Sequence, residues 1–107
     1  MDLSLQGWDI GQFDGVDWSP WGSTGTARAK VLANGDGYHL ALVEAQPGYA
    51  GEPHVHDHAE FLFVVDGTLR NQGRDMTKGD AYVAAPGSTH ADFGTDSGAT
   101  YLSIFKL

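Results

Sequence analysis

Apolar residues in this chain fall into short runs that alternate with polar ones, and clusters of Gly, Pro, Asn and Asp separate the runs. No stretch carries the period of a helix of three turns, and the turn signals recur at the spacing of a sandwich or barrel rather than of βαβ units. The pattern predicts strands over 26–33, 38–46, 60–65, 68–72, 81–85, 91–93 and 100–106. Turns are expected at 34–37, at Pro47-Gly48, at Asp66-Gly67, over 73–78, at Pro86-Gly87 and over 94–98. In 38–46, Tyr38, Leu40 and Leu42 alternate with His39, Ala41 and Val43, so both faces are partly apolar, as in a strand between two layers. His39 is read as structural. In 100–106, Tyr101, Ser103 and Phe105 oppose Leu102 and Ile104.

Residues 1–25 lack a period and carry all three tryptophans, Trp8, Trp18 and Trp21, with Phe13. Leaving four large aromatics in water is costly, so an ordered irregular arm that covers a barrel flank or a neighbouring subunit is expected. The domain reading is an arm over 1–25 and one barrel over 26–107.

The densest chemistry lies in GYAGEPHVHDHAEFLFVVDG, residues 48–67. His54 and His56 are two apart, so on an extended strand both imidazoles leave one face, roughly 7 Å apart along the backbone. Asp57, His58 and Ala59 can turn the chain and bring Glu60 opposite. If Glu60 points at a bound ion, Leu62 and Val64 share its face and line the barrel, while Phe61, Phe63 and Val65 take the other. Downstream, GDAYVAAPGSTH (79–90) offers His90 as a fourth ligand after Pro86-Gly87. Three imidazoles and a carboxylate suit divalent first-row metals: Fe(II), Mn, Co, Ni, Cu and Zn all tolerate them. Glu60 is also read as a candidate catalytic group, together with His58, a rim residue offering an acid–base role. Tyr82 precedes the His90 loop and is the other candidate catalytic side chain.

Composition narrows the partners. Fourteen acidic against six basic residues give a formal charge of −8, which repels phosphate backbones and anionic membranes. No nucleic-acid or membrane partner is expected. With no cysteine, thiolate sites and disulfides are excluded. The N-terminus lacks a secretory pattern, and a cytoplasmic protein is expected.

Gly48, His54, His56, Glu60 and Gly67, followed by Gly79, Gly87 and His90, resemble the paired signature of the cupin superfamily from about residue 30 onward. Ala85 stands where that family usually has proline and Gly94 where it often has asparagine; neither is a ligand position. The resemblance implies an antiparallel jelly-roll barrel holding one metal on His54, His56, Glu60 and His90. From Trp18 onward the pattern is most similar to the small ChrR-type cupins, which include anti-sigma sensing domains and diketone-cleaving oxygenases. An anti-sigma role calls for a further helical zinc domain, so a stand-alone enzyme or binding module is expected. The leading expectation is an Fe(II)-dependent dioxygenase of a small chelating, diketone-like substrate, with Leu62 and Val64 as an apolar wall. A redox-neutral isomerase or lyase of a sugar acid or carbonyl compound, and a non-catalytic metal or metabolite module, are the alternatives. The resemblance and the apolar Phe61 and Phe63 imply a homodimer.

Overall fold

The computed structural model describes residues 6–106. Ten strands follow a single 3-10 turn at Phe13–Gly15: β1 Ser19–Pro20, β2 Ala27–Gly35, β3 Tyr38–Ala45, β4 His54–Val55, β5 Glu60–Asn71, β6 Arg74–Thr77, β7 Ala81–Ala84, β8 Thr89–His90, β9 Phe93–Gly94 and β10 Ala99–Lys106. No α-helix occurs among the described residues. Every pairing is antiparallel, and the main sheet runs β1-β2-β3-β10-β5-β6, with β7 and β9 also on β5 and a separate β4-β8 ribbon. The sheet curls strongly into the expected all-β jelly-roll, and its inner face holds Ala29, Ala41, Val43, Leu62, Val64, Leu69 and Tyr101 in one core.

The long strand β5 explains the curl and corrects the expected turn at Asp66-Gly67. The chain does not reverse there. Its register against β10 shifts between Thr100 and Tyr101, which face Asp66 and Val64, so Val65 is the extra residue of a bulge. Residues 68–71 therefore continue β5 instead of forming a return strand. The reversal comes later, where Asn71 pairs with Arg74 and both Gln72 (φ 51°) and Gly73 (φ 76°) are left-handed. A glutamine in that conformation is uncommon, which hid the turn from the sequence. Accordingly β6 occupies most of the stretch expected to be a turn over 73–78, and the short strand expected at 91–93 is replaced by β8 and β9 around a bend.

Strand parity holds up to the bulge. Leu62 and Val64 are buried at 3% and 0% exposure, whereas Phe61 and Phe63 remain 49% and 46% exposed. Beyond Val65 the alternation flips, so that Leu69 is buried and Asn71 also turns inward to His90. Without the extra residue, counting by twos from Glu60 would send Asn71 outward.

The N-terminal arm lies along β2. Asp9 accepts from the Asn34 backbone N–H, Lys30 donates to the Phe13 carbonyl, and the Lys30 ammonium sits 3.7 Å from the Phe13 ring centre and 5.1 Å from that of Trp18. Arg28 covers Trp18 at 4.0 Å. Two of the four aromatics thus shelter cations on the barrel flank. Trp21 instead turns over the open end of the barrel, edge-on to Phe105 at 5.6 Å.

Candidate metal centre

The ribbon pairs His54 of β4 directly with His90 of β8, so both side chains leave the same face. Beyond β4, His56 continues the pairing: its N–H donates to the Ser88 carbonyl and its own carbonyl accepts from Gly87. The bend at 57–59 then delivers Glu60, the first residue of β5, beneath the ribbon. The imidazole centres lie 4.8 Å (His54–His56), 5.3 Å (His54–His90) and 5.1 Å (His56–His90) apart. One donor atom from each of His54, His56, Glu60 and His90 falls within 4.8 Å of all the others.

Each imidazole is oriented by a bond on its outer nitrogen. His54 Nδ1 faces the Glu52 carbonyl at 2.9 Å, His56 Nδ1 faces Ser88 Oγ at 3.0 Å, and His90 Nε2 faces Asn71 Oδ1 at 2.8 Å. Ser88 Oγ donates its own proton to the Ala85 carbonyl at 2.6 Å, so it accepts from His56. The proton on each outer nitrogen leaves the other nitrogen with a free lone pair, the arrangement ion-binding histidines require. The His56 Nε2 lone pair then faces Glu60 Oε2 across 3.1 Å. Two electron-rich atoms at that distance need a shared positive charge, and a divalent ion supplies it without a proton.

Electrostatics favour the same state. Burial pushes the His90 pKa below its ordinary value; Glu60 opposes this, and the neighbouring His56 and His54 add to it, so the ring is neutral at pH 7. Tyr82 donates to Glu60 Oε1 at 2.9 Å, and burial followed by the Glu60 charge holds its phenol far above the usual range. It is a fixed donor that aims the carboxylate. His58 is exposed on the bend at the pocket mouth.

The four donors open onto a cavity of about 740 Å³. Its wall differs from the sequence expectation: Trp21, Tyr49, Phe93, Tyr101 and Phe105 line it, whereas Leu62 and Val64 lie in the core packed with Tyr49 and Tyr101. The inward alternation of Tyr101, Ser103 and Phe105 was the available signal for part of this wall. Tyr49 and Trp21 come from irregular segments, and no periodicity pointed to them.

Comparison with known proteins agrees with this architecture. The curated pectin degradation protein KdgF of Dickeya dadantii is 26% identical over 96 residues, covering 84% of this chain and 87% of that protein. Among solved structures, a Methylibium petroleiphilum protein provisionally named an acetylacetone dioxygenase superposes with a TM-score of 0.84 at 20% identity, over 99% of this chain and 81% of its own. The acetylacetone dioxygenase of Acinetobacter johnsonii gives 0.75 at 12% identity, over 99% and 80%. At these identities the two structures speak to the fold alone. The family model described as the ChrR cupin-like domain matches residues 7–106, extending through most of the arm. This chain belongs to the ChrR cupin-like domain family.

Proposed function

We propose that the protein is an Fe(II)-dependent dioxygenase of a small, uncharged, chelating substrate of the diketone type, with His54, His56, Glu60 and His90 holding the iron. The observation that carries this reading is the placement of the four converging donors on a cavity whose wall includes Trp21, Tyr49, Phe93, Tyr101 and Phe105. Iron held there would supply exchangeable positions for a chelating substrate and dioxygen and the capacity to exchange electrons with them. The chain's own residues do the rest. Ser88, Glu52 and Asn71 fix the imidazoles, and Tyr82 fixes Glu60. Trp21, Phe93 and Phe105 exclude water from the bound substrate. His58, exposed at the cavity mouth between His56 and Glu60, is assigned to receive a proton released by the substrate.

Charge argues for a neutral substrate. Among the residues lining the cavity, Lys106 is the one Lys or Arg, and its ammonium rests 4.9 Å from the Tyr38 ring centre. Outside the four ion-holding side chains, Glu52 and Asp57 are the acidic residues of the lining, and they make its rim negative. The test is oxygen uptake by iron-loaded protein with acetylacetone, catechol-like and hydroxyketone substrates. Uptake coupled to substrate loss in the iron form and absent in the zinc form is expected; no uptake with any of them overturns the reading. A second reading, redox-neutral isomerase or lyase chemistry on a sugar acid or carbonyl compound, draws on the likeness to the pectin degradation protein. It predicts turnover without oxygen on zinc, manganese or nickel.

We also infer a homodimer through the outer face of the sheet. Phe61 pairs with Val83 on one side and Ile104 on the other, and with Phe63 these side chains stay 40–58% exposed. Such a contiguous apolar patch suits a second copy. Phe61→Glu is expected to convert a sedimenting dimer to a monomer; a native chain that is monomeric at micromolar concentration contradicts this.

A further inference from the structure

The ion site straddles two sheets. His54 and His90 stand on the β4–β8 ribbon and His56 on its extension, whereas Glu60 stands on β5 of the main sheet. The strand that carries His90 is two residues long and pairs with β4. Alternate residues of an antiparallel strand point their N–H and C=O groups to opposite sides, so Thr89 and Ala91 turn theirs away from β4. There they meet the tip of the β5–β6 hairpin. The backbone ladder between β5 and β9 ends at Asn71 and Phe93, and Gln72 carries it on. Its backbone N–H donates to the Asp92 carbonyl at 2.6 Å. Its side-chain Oε1 accepts from the backbone N–H groups of Ala91 at 2.7 Å and Asp92 at 3.0 Å, and its Nε2 donates to the Thr89 carbonyl at 3.1 Å. Two N–H donors and one carbonyl fix which way round the amide stands. The side chain thus takes the place of a peptide group, and its bonds bracket His90.

The residue in this role is a costly one for its place in the chain. Gln72 has φ 51° and is followed by Gly73 at φ 76°, a turn that asparagine or glycine would form at lower cost. Asparagine is one methylene shorter and glycine has no side chain, so neither makes these bonds. The rest of the tip grips the same segment. Asn71 Oδ1 faces His90 Nε2 at 2.8 Å, the Gly73 N–H donates to Asp92 Oδ2 at 3.1 Å, and Arg70 Nε donates to Asp92 Oδ1 at 2.9 Å.

We propose that Gln72 is a positioning residue of the ion site: its side-chain amide ties the His90 strand to the main sheet, so that His90 meets Glu60, His54 and His56 at one point. The inference rests on the ion reading above and deepens it by naming what holds the two sheets in register there. Asn71 orients the His90 ring, and Gln72 sets the backbone from which the ring projects.

The test separates the clasp from the stability of the hairpin. Gln72→Asn suits the turn and loses the clasp, whereas Gly73→Ala strains the turn and keeps it, since a Cβ at Gly73 meets no atom within 4 Å. Zinc affinity, read by competition with a chelator, is expected to fall about tenfold in Gln72→Asn and equally in Gln72→Met, which has the length without the amide. Gly73→Ala is expected to keep the native affinity while its metal-free melting temperature falls by about 5 °C. A merely structural role would rank the affinities as it ranks the melting temperatures. Native affinity in Gln72→Asn, or an equal loss in Gly73→Ala, overturns the proposal. If the native chain binds no zinc, the ion reading fails, and the clasp is then judged on the His90 ring nitrogens of the metal-free protein by NMR. A proton held on Nε2 in the native chain and shared between both nitrogens in Gln72→Asn supports the clasp; identical ring signals in the two overturn it.

Discussion

His56→Ala is expected to remove ion binding while leaving the metal-free fold close to its native stability. Altering an outer partner of a metal ligand typically costs about 10–100-fold in affinity, and removing a ligand outright should cost at least about 1,000-fold. His56 is the most demanding of the four to lose, because its Nε2 is the atom set against Glu60 Oε2. Its removal takes away a neutral donor and leaves the carboxylate to hold the ion with two imidazoles. The metal-free protein loses less. Ser88 Oγ keeps its bond to the Ala85 carbonyl, and the backbone pairing of residue 56 with Gly87 and Ser88 does not depend on the side chain. A cost of about 1 kcal/mol is expected. An ion at 100 times its dissociation constant adds about 2.7 kcal/mol to the native chain. For a domain of this size that is roughly 10–20 °C in melting temperature. Thermal scans with and without zinc should show this rise in the native chain and none in His56→Ala. An equal rise in both would remove His56 from the site.

Gly67→Ala is expected to be strongly destabilising, and it tests how the fold positions the site. Gly67 has φ 79°, a conformation costly for a residue with a Cβ. An added Cβ would also come 2.3 Å from the Gly98 carbonyl oxygen and 2.8 Å from Ala99 Cα. Both are backbone atoms at the start of β10, so no flexible side chain can yield. Combined strain and displacement should cost about 3 kcal/mol, or roughly 15 °C in melting temperature. The bulge is what turns Asn71 toward His90, so ion affinity should fall as well, although residue 67 is no ligand. A stable Gly67→Ala protein with native affinity would mean that the bulge is dispensable.

The convergence of the four side chains was legible because their spacing is local. His54 and His56 share a face by period two, Glu60 follows a short bend, and the Pro86-Gly87 turn precedes His90. The parity of β5 was equally legible as far as Val64. What the sequence concealed were departures from period. The bulge at Val65 looks like a hairpin turn because Asp66-Gly67 has hairpin chemistry, while the true turn uses Gln72, which does not. The cavity wall was hidden for a different reason. Trp21 and Tyr49 reach it from segments without regular structure, and Leu62 and Val64, expected to form the wall, are covered by larger side chains packed over them.

His54, His56, Glu60 and His90 are expected to hold one divalent ion. Elemental analysis of untagged protein purified without oxygen tests it most directly, followed by reloading with Fe(II), Mn(II) or Zn(II) and desalting. One equivalent of metal per chain is predicted, falling to background when His54 and His90 are both replaced by alanine. Substoichiometric metal after reloading with each of the three ions, or full retention in that double variant, would contradict the account.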